Sequence, residues 1–204
     1  MDSIPARYSI KEVTIGSKVT HIAGYTFMDC ESLTSISIPD SVICIGDSAF
    51  SGCPDALFDP VTIPGIYSVD GWIIGSTDLF TSSVLDLTKF RGIADFALGN
   101  VSGPYTITTL ILPDTFTNIG YLPFKDHKIT NMPQTSSERV VYLLTNNLLH
   151  TEGYGDVIVD ENGMPDMQPF TTTITCKDGI VNATSILNDY FGVEGWDITI
   201  TPLL

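Results

Sequence analysis

The chain has 204 residues, 43% of them hydrophobic and 16% charged, so it can bury a core and is poor material for disorder. Lys and Arg number 9 against 24 Asp and Glu, a formal net charge of −15, which argues against nucleic acid and anionic membrane surfaces as partners. No apolar run has the length of a membrane span, and Met1–Arg7 lacks the basic and apolar regions of a secretory leader.

The chain enters a strand almost at once, with Ile10 and Val13 as its apolar members. From Val13 one pattern is written twice. Ile15, Val19, Ile22, Phe27 and Cys30 return as Ile38, Val42, Ile45, Phe50 and Cys53, each 23 residues on. Apolar positions that recur in one register predict stacked solenoid coils, each too small to fold alone. Val-Thr-Ile and Ile-Ser-Ile are short alternating strands. The pairs Val19/Ile22 and Val42/Ile45 read as inward corners, and Phe27/Cys30 and Phe50/Cys53 fill the far wall. Pro39 ends its strand without removing an inner ladder bond.

Ile38-Pro-Asp-Ser-Val, Ile45-Gly-Asp-Ser-Ala-Phe-Ser-Gly-Cys53 resembles the BspA-type leucine-rich repeat, over residues 9–127. That family occurs on bacterial and some protist surface proteins and in phage-associated proteins. The resemblance implies a mainly β leucine-rich-repeat solenoid used for adhesion or protein binding, with no catalytic residues to carry over.

Val61-Thr-Ile-Pro64 restores the strand signature. Asp70-Gly71 between Ile66–Val69 and Trp72–Gly75 predicts a type I′ hairpin, because that turn needs positive φ at both central residues. We read it as a hairpin inserted into the third coil near 66–75, with Tyr67 and Trp72 as exposed aromatics. Val84–Leu87 and Ile93–Leu98 form a degenerate copy. Leu110–Phe124 is a clearer one, with His127 as a local wall residue.

Asn131–Ser137 is rich in turn formers and reads as a boundary between a solenoid over 1–130 and a β-rich C-terminal cap or accessory domain over 139–204. Val140–Leu144, Val157–Val159, Thr171–Cys176 and Ile198–Thr201 read as strands, with turns at Asn162-Gly163 and Asp178-Gly179. Ser185–Phe191 reads as the one helix, with Gly192 after it.

No nucleophile elbow, HExxH, phosphate loop or dinucleotide glycine motif occurs. The acidic stretch Asp156–Asp166 lacks EF-hand spacing and reads as a solvated hairpin tip. Cys30 and Cys53 are equivalent positions about one strand spacing apart, which is compatible with a disulfide, while the resemblance implies a buried ladder of free thiols; no Cys/His spacing suggests zinc. The expectation is therefore a non-enzymatic binding module with no cofactor and no metal, whose partner is a protein or surface glycan. A phage or virion-associated structural part is the alternative. The location is the cell surface or the exterior if an export signal has been removed, otherwise the cytoplasm or a virion. The outward strand residues Glu12, Thr14, Ser35, Ser37, Thr62, Asp86, Thr109 and Ile111 form the candidate binding ribbon, with Tyr67 and Trp72 beside it.

Overall fold

The computed structural model describes residues 6–77, 82–99, 105–112, 116, 118–121, 123–124, 127–129, 131–132, 134–145, 171–176, 181–182 and 197–202. They form a mainly β solenoid of about 4 turns. In chain order the strands are β1 (Glu12–Thr14), β2 (His21–Ile22), β3 (Ser35–Ser37), β4 (Cys44–Ile45), β5 (Ile66–Val69), β6 (Trp72–Ser76), β7 (Val84–Asp86) and β8 (Gly92–Ile93). Then come β9 (Tyr105–Ile107), β10 (Thr109–Ile111), β11 (Asn118–Ile119), β12 (His127–Ile129) and β13 (Asn131–Met132). Helix α1 (Ser137–Thr145), β14 (Thr171–Cys176), β15 (Val181–Asn182) and β16 (Asp197–Pro202) follow. The chain divides into two compact units that interleave along the sequence.

The first unit holds residues 1–81, 89–101 and 116–123. Its first two coils stack in the register read from the sequence. Val13 pairs with Ile36 and Ile22 with Ile45, both in parallel ladders. The rings of Phe27 and Phe50 stack at 5.4 Å. Gly24 and Gly46 let the two backbones touch: a Cβ on Gly46 would run into the backbone of Gly24. That contact explains the Ile-Gly dipeptide at the end of the short strand. The same ladder step continues with Ala94 N–H donating to Ile73 O and Gly120 N–H to Ile93 O, both at 2.8 Å. Ile22, Ile45, Ile73 and Ile93 are therefore one buried column.

A backbone repeat runs beneath the side-chain repeat. Tyr25, Ser48 and Phe96, each three residues after its column isoleucine, have φ of 61°, 54° and 54°. Asp29 (φ 58°) matches Gly52 (φ 76°) in the same way. Left-handed backbone at a non-glycine residue costs about 1–2 kcal/mol. The stacked coils hold it in place through hydrogen bonds that the N–H groups of Tyr25, Phe27 and Asp29 donate to the carbonyls of Asp47, Ala49 and Ser51, at 2.8–3.1 Å.

The Asp70-Gly71 turn has φ of 48° and 76°, as a type I′ turn requires. The hairpin is not an appendage. β6 pairs in parallel with β8, so Trp72-Ile73 supplies the strand of the third coil, in a sheet ordered β11-β8-β6-β5. Val61–Ile63, expected as that strand, is a bend instead. Val19, expected to point inward, is 37% exposed, while its equivalent Val42 is 1% exposed. The 3-10 turn at Ala6–Ser9 touches the first coil where the Ser32 hydroxyl donates to Tyr8 O at 2.7 Å.

The second unit holds residues 82–88, 102–115 and 124–204. β7 pairs in parallel with β10, and β9 with β12. Neither β9 nor β12 was visible as a strand in the sequence. Leu85, Leu87, Leu110 and Leu112 are fully buried. β13, β14, β16 and β15 form a four-stranded sheet in that order, so Asn131-Met132 is ladder rather than boundary. β14 and β16 lie where alternation placed strands. Val140–Leu144, expected as a strand, lies in α1. The Ser136 hydroxyl accepts the Arg139 N–H at 3.3 Å, capping the helix, and Val140 and Leu143 bury one face at three-residue spacing. Val157–Val159, Asn162-Gly163, Asp156–Asp166, Asp178-Gly179 and the Ser185–Phe191 helix lie outside the described residues.

Candidate binding surface

The ribbon is built where two strands lock in register. β1 and β3 place Glu12 opposite Ser35 and Thr14 opposite Ser37. All four side chains are exposed, while Val13 and Ile36 between them turn inward and are part-buried. The alternation of a strand makes that division, and parallel pairing repeats it on the next coil. The result is a small patch of hydroxyls with one carboxylate.

In the second unit, β7 and β10 place Asp86 opposite Ile111 and Val84 opposite Thr109. Asp86 is exposed, Thr109 and Ile111 are half-buried, and Val84 is 48% exposed. Asp86 Oδ1 accepts the Thr88 N–H at 2.9 Å, which fixes its orientation. Thr62 is exposed but lies in the bend, outside any strand.

The two hairpin aromatics part company. Tyr67 is 37% exposed and packs against Phe58 with ring centroids 5.0 Å apart. Trp72 is 0% exposed and is removed from the surface residues. Its ring covers Gly92, where an added Cβ would collide with the indole. The glycine leaves a gap at its level of the column, and the Trp side chain fills it.

The residues that sequence reading missed are those that hold the third coil to the second. Without a strand at 61–63, the Ile38 N–H has no ladder carbonyl to meet. Asp70 Oδ2 accepts it instead, at 2.8 Å. The same oxygen accepts Arg91 Nη1 at 3.1 Å. Arg91 also donates to Ile38 O at 3.1 Å and reaches the exposed Asp40 at 2.8 Å. Asp59 closes the hairpin turn from the other side, accepting the N–H groups of Asp70 and Gly71 at 3.2 and 2.8 Å. A basic residue at 91 in a chain this acidic was the available signal. Its partners lie 21 and 53 residues away, so spacing could not name them.

Cys30, Cys44 and Cys53 are free thiols. Cys53 donates to Phe27 O at 3.3 Å, so the equivalent cysteines of adjacent coils are tied through backbone. Burial pushes the Cys53 thiol up to about 11, with Cys30 beside it adding to the rise. Burial also raises Cys30 and Cys44, the latter helped by Asp95. Among the described residues no group of three His, Cys, Asp or Glu is placed to hold a metal ion, and no helix is long and apolar enough to cross a membrane.

The family model described as the BspA type leucine rich repeat region (6 copies) matches residues 6–69. The likeness to the BspA-type leucine-rich-repeat family is shown over that segment. The family suggests a protein-interaction or adhesion module, and a leucine-rich-repeat solenoid is typically a binding scaffold. No curated protein and no solved structure is detectably similar to the chain.

Proposed function

We propose that the chain is a non-enzymatic recognition module that binds a protein or a surface glycan through the β1/β3 ribbon. The observation that carries the reading is the register of Glu12 with Ser35 and Thr14 with Ser37, which fixes four exposed polar side chains on paired strands. A surface set by backbone pairing is preorganised, so little side-chain ordering opposes association. Carbohydrate hydroxyls and extended peptide backbones both suit such a row of short donors and acceptors. The proposed setting is a cell surface, and antibody labelling of intact source cells checks it.

The test is a panel of immobilised proteins and glycans probed with the wild type and with Ser35→Lys/Ser37→Lys. The reading expects a bound member of the panel to be lost from the variant, with the melting temperature within about 2 °C of wild type, since both sites are solvent-facing. Binding that survives the double replacement places the site elsewhere.

A further inference from the structure

We propose that the left-handed wall of the first unit is a second binding surface, distinct from the ribbon, and that it takes an extended segment carrying two arginine or lysine side chains. On this wall the left-handed Ser48 and Phe96 are part-buried, and two tyrosine rings reach solvent. Tyr25 is 60% exposed, and Tyr121, next to the Phe96 position, is 51% exposed. Phe96 meets Tyr121 edge to face at 5.4 Å, and the Phe96 N–H donates to Tyr121 O at 2.9 Å.

Two carboxylates lie between the rings. Asp47 receives the Tyr25 hydroxyl at 3.5 Å and the Ser48 hydroxyl at 3.1 Å. Asp95 Oδ1 receives the Tyr121 N–H at 2.6 Å, with the Cys44 thiol 4.0 Å away. No Lys or Arg among the described residues pairs with either. The wall is continuous here, because the third coil leaves this level for its hairpin and the Asp95 N–H donates directly to Ile45 O at 2.9 Å.

Ring, carboxylate, carboxylate, ring is therefore the order along the wall. An aromatic face beside an unpaired carboxylate suits a guanidinium or ammonium, which stacks on the ring while pairing with the acid. The net charge of −15 favours a basic partner, while a second copy would bring the same carboxylates to the face. From Tyr25 to Tyr121 is three coil steps, roughly 14 Å at ~4.8 Å each. Side chains four residues apart on an extended peptide are separated by about 13 Å. The spacing thus selects basic residues at i and i+4.

The probe is a capped nine-residue peptide, Gly-Ser-Arg-Ser-Thr-Ser-Arg-Ser-Gly, titrated into the full chain by NMR at low salt. The comparison peptide has the same composition with its two arginines adjacent. The expected result is tighter binding of the spaced peptide, weakened by about tenfold in Tyr25→Asn/Tyr121→Ser, which removes two cation–π contacts. Asp95→Asn keeps an acceptor for the Tyr121 N–H and should also weaken it, with the fold intact by its amide spectrum. Glu138→Gln, an exposed carboxylate outside both surfaces, should leave peptide affinity unchanged. Equal affinity for both peptides overturns the proposal. So does an equal loss in Glu138→Gln, which would mean diffuse attraction to an acidic protein, or unchanged affinity in the Tyr variant. Failure of the ribbon in its own panel leaves these outcomes unaltered.

Discussion

Coils one and two carry the same apolar positions 23 residues apart, yet they are not equally buried. Val19 is 37% exposed and Val42 1%; Phe27 is half-buried and Phe50 2% exposed. The side chains are matched, so the difference comes from neighbours. Coil two is covered on both sides, whereas among the described residues coil one has a coil on one side and the short Ala6–Ser9 turn, held through Ser32, on the other. In a solenoid the worth of a residue depends on its place in the stack as well as its place in the motif. The strand ends show the same contrast. The Ile15 N–H meets the Ser37 carbonyl of the next coil, while the Ile38 N–H meets a carboxylate, Asp70.

The largest effect should separate the two phenylalanines. Phe50→Ala should cost about 3–5 kcal/mol, as core Phe losses do. Phe27→Ala should cost roughly half of that, because much of its surface is already in water. Urea unfolding of both variants checks this, and equal losses would break the comparison. Asp70→Ala should cost about 2–3 kcal/mol by stranding the Ile38 N–H and releasing Arg91. It should speed amide exchange at Ile38 and leave Ile15 unchanged, and unaltered exchange at Ile38 would show that the carboxylate bond is dispensable.

Smaller effects test the left-handed positions. Gly52→Ala should destabilise by about 1–2 kcal/mol, since its φ of 76° disfavours a Cβ that would also press on Asp29. Asp29→Gly at the matching site should instead stabilise by up to about 0.5 kcal/mol, because relief of strain is offset by a looser unfolded chain. Thermal melts of the pair give the signs. The smallest effect is alkaline. Cys53 has its folded value raised from 9.0 to about 11, so its contribution is intact below pH 9.0 and is lost as pH rises towards 11. Cys53→Ala should flatten that loss more than Cys30→Ala, read from unfolding midpoints across the range.

The candidate ribbon was legible in Glu12, Thr14, Ser35 and Ser37 because strand alternation alone decides which side chains face out. Tyr67 and Trp72 show where that legibility stops. Both flank the same turn, Trp72 directly after it and Tyr67 further along the opposite strand, and the gap over Gly92 takes Trp72 inside. Tyr25 and Phe96 were invisible as a pair, because what unites them is a backbone angle repeated on separate coils, and Tyr121 joins them only through its ring contact with Phe96.

By itself the sequence determined the 23-residue step and the hairpin turn at Asp70-Gly71. Each follows from local stereochemistry or from a period that repeats within one coil. The tertiary structure alone decided that the hairpin supplies the third strand, that Arg91 and Asp70 replace a missing ladder at Ile38, and that Val140–Leu144 is helical. These outcomes depend on groups brought together from distant parts of the chain. Side-chain period carries no record of which unpaired N–H a far carboxylate will meet, or of which face a five-residue apolar run will find covered.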